Sequence, residues 1–185
     1  MTNKTRAAAA AGIATGPIPP GVAEELNRQL NHEWAAAAGY TAIAVWCIDR
    51  ELTGMAGFFK KQASEEREHA WKIMQFMLDR GTTPRLDQTP APRSAYETFI
   101  DVAQTALAME QKNTAGINAA YAAALEQVDY PSQIMLQWFI KEQVEEEAWA
   151  SRLVKLADMC GTGAGLMQLD RHAEKMITGE EHDED

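Results

Sequence analysis

The seven prolines of this chain fall in only three places, residues 17–20, 84–92 and 131. Proline lacks a backbone N–H and clashes with the preceding helical turn, so each place marks a break. A fourth break is the glycine-rich run 161–165. The long segments between are rich in Ala, Leu, Met, Glu, Gln and Lys, which favour helix, and none alternates with the two-residue period of a strand. The punctuation predicts a first helix from about Pro20 to Leu52 and a second from about Thr53 to Arg80, ended by Gly81. Ser94 with Glu97 matches a capping box for a third helix running to about Gln127. The Asp129–Tyr130–Pro131 turn opens a fourth, to about Cys160, and residues 164–178 form a shorter fifth. Leu166, Leu169, Ala173, Met176 and Ile177 give that fifth helix one apolar face. The first and last pairs of long helices are joined tightly and read as antiparallel hairpins. About a dozen residues, 82–93, link the pairs and are long enough to run along the bundle. The expected fold is therefore all-α, a four-helix bundle with one long crossover and a short fifth C-terminal helix.

A bundle of 185 residues has length for one sizeable core. Residues 1–19 read as a flexible tail rather than an export signal, because their Ala-rich run is short and prolines follow at once. Residues 20–178 read as the folded domain and 179–185 as an acidic tail. A formal net charge of -10 argues against a nucleic-acid partner and is compatible with attracting cations. No apolar run is long enough to span a membrane. Cys47 and Cys160 form no CxxC pair, so they read as free, buried thiols in a reducing, cytoplasmic compartment.

Acidic residues on the buried stripe of a bundle are costly unless they are paired or bind metal. Glu33 sits in LNHEWAAAAGY, with Leu30, Ala37 and Tyr40 on its face. Glu66 and His69 form an ExxH pair on one side of the second helix, Glu110 sits in TALAMEQKN, and Glu142, Gln143, Glu145 and Glu146 lie in WFIKEQVEEEAW. Glu33 and Glu66 are 33 residues apart, as are Glu110 and Gln143; one offset of 77 carries Glu33 to Glu110, Glu66 to Gln143 and His69 to Glu146. Two hairpins packed with approximate two-fold symmetry bring these groups together. Carboxylate oxygen with one imidazole suits iron or manganese, and zinc would also be accepted. A second ExxH is missing: its place reads Gln143–Val144–Glu145–Glu146, so a second metal would be held by oxygen alone and less tightly. The bland alternative is a ladder of surface ion pairs, which suits Glu24, Glu25, Glu68, Glu126, Glu147 and Glu174 better than the aligned set.

At these residues the chain closely resembles bacterial non-haem ferritin. The matching stretches are NHEWAAAAGY, FFKKQASEEREHAW, LAMEQK, DYPSQIMLQWFIKEQVEEEA and GTGAGLMQLD, within about residues 21–178. The resemblance implies a ferritin-like fold and an iron-storage subunit with a di-iron ferroxidase centre and no haem. Glu33 and His69 would hold the first iron, Glu66 would bridge, and Glu110 and Glu146 would hold the second with Gln143 beside it. Glu65, Glu142 and Glu145, sharing Glu146, would hold a third iron. Tyr40 would be an electron donor, against the alternative of a structural tyrosine bonded to a glutamate. Fe(II) would be oxidised by O2 or peroxide, and the Fe(III) product stored in a homo-oligomeric cage of roughly twenty-four copies. The fifth helix would lie about the four-fold axes and Tyr130–Pro131 near the three-fold channels.

Close relatives fit less well. A bacterioferritin would have ExxH in the fourth helix and a haem-ligating Met where Arg67 stands. A Dps-type miniferritin would lack the fifth helix, and a rubrerythrin needs cysteine pairs. An oxygenase acting on an organic substrate would need an inserted pocket-forming segment, an inactive scaffold would have lost the ligand set, and encapsulated forms are usually shorter two-helix subunits. The five tryptophans read as packing residues, the nine methionines as core filler, and His32, His172 and His182 as outside the site.

Overall fold

The structure, a computed structural model, describes residues 16–178. The expected tails, apart from residues 16–19, and His182 lie outside the described residues, as do the side chains of residues 174–178, including Met176 and Ile177. Five helices follow one another: α1 Pro20–Ile48, α2 Thr53–Asp79, α3 Phe99–Glu126, α4 Tyr130–Cys160 and α5 Ala164–Thr178. No strand occurs among the described residues. The α1–α2 and α3–α4 hairpins pack together mainly through α1 against α3, and α5 folds back on α2 and α4. This is the expected all-α bundle with one long crossover, residues 80–98, and a short C-terminal helix.

Two helix ends differ from expectation. α1 stops at Ile48 rather than Leu52, because the chain turns back there: Arg50 and Leu52 both donate to the Cys47 carbonyl and Glu51 takes a positive φ of 61°. α3 begins at Phe99, capped by Thr98, whose Oγ1 accepts from the Asp101 N–H at 3.3 Å; Ser94 and Glu97 cap nothing. The reason is Tyr96. Its ring is buried edge-on against Trp46, whose indole N–H donates to the Tyr96 carbonyl at 3.1 Å, and this holds residues 94–97 out of helical geometry. Gly81, Gly161 and Gly163 all take positive φ, which stops α2 and α4 where the glycines predict. Cys47 is buried, and burial pushes its thiol up to about 12; Cys160 is only half-buried, at the α4 terminus.

The crossover is pinned by side chains that the sequence pattern does not single out. Asn27 Oδ1 accepts from the Arg85 N–H at 2.6 Å, Asn31 Nδ2 donates to the Arg85 carbonyl at 2.9 Å, and Asn31 Oδ1 accepts from Asp87 N–H at 2.9 Å. Two amides one helical turn apart on α1 thus satisfy extended backbone that has no ladder of its own. At the other end of the bundle, Asp170 of α5 accepts from the Gly54 and Met55 N–H groups at 3.2 and 2.7 Å, capping α2 from a distant element.

The core is split. One apolar cluster runs through Tyr40, Ile43, Trp46, Phe59, Phe99, Val102, Leu153 and Leu169. The other holds Val22, Leu26, Leu30, Ile73, Met77, Ile117, Leu136 and Phe139. On α1 the break falls between Leu30 and Tyr40, on α2 between Ala63 and Ala70, and on α3 between Ala106 and Ile117. The layer between the clusters is polar, and the functional candidates lie in it.

Candidate metal centre

Each long helix sends one or more buried polar residues into that layer. Glu33 and Glu110 are completely buried, Glu66 is 2% exposed, and Gln143 and Asn113 are 4% and 2% exposed. Glu33, Glu66 and His69 each offer a ligand atom within 4.8 Å of the others. His69 Nδ1 lies 3.6 Å from a Glu66 oxygen and is a buried atom with no hydrogen-bond partner among the described residues. A buried imidazole nitrogen without a hydrogen-bond partner, beside two buried carboxyl groups, is an arrangement that a divalent cation completes.

No lysine or arginine compensates the cluster. Among the described residues no Lys or Arg forms an ion pair with Glu33, Glu66, Glu110 or Glu146. Every donor that reaches them is neutral. Gln29 Nε2 donates to Glu33 at 2.8 Å, Asn113 Nδ2 to Glu33 at 3.1 Å and to both Glu66 oxygens at 3.4 Å. Tyr40 donates its phenolic proton to Glu110, and Gln143 Nε2 donates to the Glu110 carbonyl at 3.2 Å and its carboxylate at 3.4 Å. Gln62 Nε2 donates to Glu146 at 3.1 Å, and the Trp149 indole N–H also donates to Glu146. Desolvation is the main force raising the pKa of all four carboxyls; neighbouring carboxylates add to it, and Glu146 is pushed up to about 7. Burial, and then Glu110, raises the Tyr40 hydroxyl as well.

The predicted site residues separate into groups. Glu33, Glu66 and His69 form the tight cluster; Glu110 and Glu146 lie outside the 4.8 Å group but close enough to raise the pKa of Glu66, and Tyr40 and Gln143 reach the site through Glu110. Glu65, Glu142 and Glu146 share a cavity of about 290 Å³ between α2 and α4, with Glu68, His69 and Lys72 on its walls. Glu145 is exposed and does not line that cavity. Gln29, Gln62, Asn113 and Trp149 are the partners that sequence reasoning did not assign. One faint signal existed, because Gln29 and Gln62 are separated by the same 33 residues as Glu33 and Glu66. Trp149, read as packing, both packs against Phe58 at 5.0 Å and donates to Glu146. His32 lies off the cluster, on the α1 side facing Lys112 and Gly116.

The family profile described as the ferritin-like domain matches residues 23–160. The bacterial non-heme ferritin of Staphylococcus haemolyticus is 36% identical, over 75% of this chain and 86% of its own. That of Escherichia coli O6:H1 is 30% identical, over 87% of this chain and 98% of its own. Among solved structures, an open pore ferritin from the hyperthermophilic archaeon Archaeoglobus fulgidus superposes with a TM-score of 0.82 at 29% identity, covering 85% of this chain and 98% of the archaeal one.

Proposed function

The chain belongs to the ferritin family, and on that footing we propose that it is an iron-storage subunit whose own buried carboxylates bind and oxidise Fe(II). The observation that carries this reading is the set of four buried or half-buried glutamates that meet only neutral donors. Such a set is unstable in isolation and is relieved by cations. Iron is the substrate here. Glu33 and His69 would hold one Fe(II), Glu66 would bridge to a second, and Glu110 and Glu146 would complete the second position. Arriving cations displace the protons that burial keeps on these carboxyls. Each Fe(II) gives one electron; the pair reduces O2, with two protons, to hydrogen peroxide, or reduces peroxide to water. The carboxylate-rich ligation favours the harder Fe(III), which drives the step.

Glu146 belongs to both the centre and the acidic cavity with Glu65 and Glu142, so that cavity suits a third iron and a route for the product. Tyr40 touches Glu110, which would accept the phenolic proton if Tyr40 supplied a further electron. The exposed apolar side chains of Val45, Trp71, Ile134, Val144 and Met159 are consistent with burial in a homo-oligomeric cage, for which we propose about twenty-four copies and a store of Fe(III) inside.

The test is stopped-flow absorbance after mixing apo-protein with Fe(II) in air. The reading expects a fast phase saturating near two irons per chain in the wild type and lost in Glu66→Ala. The absence of any fast phase in the wild type would contradict it.

A further inference from the structure

Asn113 is an unexpected side chain to find at the centre of an acidic cluster. It is 2% exposed, and its amide nitrogen has two protons for three carboxylate contacts. One proton serves Glu33 and the other is shared between the two Glu66 oxygens. The amide is oriented with its nitrogen toward the three carboxylate oxygens. The nitrogen therefore lies against the two carboxylates that, in the function proposed above, take the first cation.

We propose that Asn113 is a displaceable latch: its amide holds Glu33 and Glu66 together while no cation is bound and must withdraw when one occupies both, so that it weakens binding at this position. Two facts support the withdrawal. The partially positive Nδ2–H end points where a cation would sit, so amide and cation compete for the same lone pairs. Behind Asn113 lies a cavity of about 260 Å³ between α1 and α3, beneath residues 90–93, lined also by His32, Gly39, Tyr96, Met109 and Lys112, which gives the side chain somewhere to go. A bound cation that must displace a donor is held less tightly than one entering free carboxylates, which suits a site whose cargo passes through. The inference rests on the metal-site reading and identifies Asn113 as a positioning residue that sets affinity.

The test is anaerobic titration of the intact protein with Co(II), followed by calorimetry and by the visible ligand-field bands. Wild type must first bind Co(II) with those bands; if it does not, the metal-site reading itself fails. Given binding, Asn113→Leu, which removes the donor at similar volume, is expected to bind on the order of tenfold more tightly at unchanged stoichiometry. Asn113→Ala removes the donor without adding charge or bulk and is expected to tighten binding too; it decides the matter if the Leu variant does not fold. A merely structural role predicts weaker or unchanged binding in both variants. Weaker binding would also follow if the amide turned to offer its Oδ1 to the cation, and either result overturns the latch.

Discussion

Glu33 accepts hydrogen bonds from Gln29 and Asn113, Glu110 from Tyr40 and Gln143, and Glu146 from Gln62 and Trp149. Neutral donors orient a carboxyl group without pairing a charge to it, so a cation that displaces its proton meets no rival cation. The same arrangement fixes the pH dependence of the cation-free protein. All four carboxyls have folded-state pKa values raised above the ordinary 4.5, so the folded state holds protons that the unfolded chain releases. Their contribution to stability is complete below about pH 4.5 and is lost as pH rises through the folded values, for Glu146 about 7. The apo-protein is therefore expected to melt on the order of 5 °C lower at pH 7.5 than at pH 5.5, on the scale of one or two kcal/mol. A saturating divalent cation reverses the trend, because it binds the ionised form. Scanning calorimetry with and without Co(II) checks both signs; a flat or rising apo curve would contradict the account.

The helices were legible because their signals are strong and local. Proline and glycine mark the breaks, and φ values of 67° at Gly81 and 59° at Gly161 are conformations that glycine adopts without strain. The start of α3 departs from the local rule: Ser94 and Glu97 match a capping box, whereas the chain obeys a tertiary contact, Tyr96 against Trp46. The glutamates were legible because acid amid apolar neighbours is an energetic anomaly. Gln29, Gln62 and Asn113 were not, because amides are ordinary on helix surfaces and only packing reveals that these are inside. Asp170 was hidden for the same reason, since its partners at Gly54 and Met55 are more than a hundred residues away. Asp170→Ala removes two backbone partners at the α2 N-terminus and is expected to cost about 1–2 kcal/mol, loosening α5 first. Hydrogen exchange should show faster amide exchange in α5 and the first turn of α2 than in α3; uniform protection would argue that α5 is held by its apolar face alone.

Across the whole molecule, a polar layer cuts the core in two, with apolar clusters above and below it. That division sacrifices core continuity at the depth where four helices converge, a stability cost that the proposed metal centre accounts for. The acidic α2–α4 cavity opens on one side of this layer and the Asn113 cavity lies on another. Exposed apolar residues on the outside, Met159 at 82% and Ile134 at 69%, point to further burial by copies of the chain. Light scattering is accordingly expected to give a mass many times 20.4 kDa, and a monomer at micromolar concentration would contradict the cage. The centre itself is tested most directly by anaerobic titration of the apo-assembly with Fe(II) near pH 6.5, counting ions bound and protons released together. The account predicts saturation near two Fe(II) per chain with net proton release, because buried carboxyls must ionise to take the metal. Saturable binding without proton release, or none at all, would mean that the buried glutamates are not the ligands.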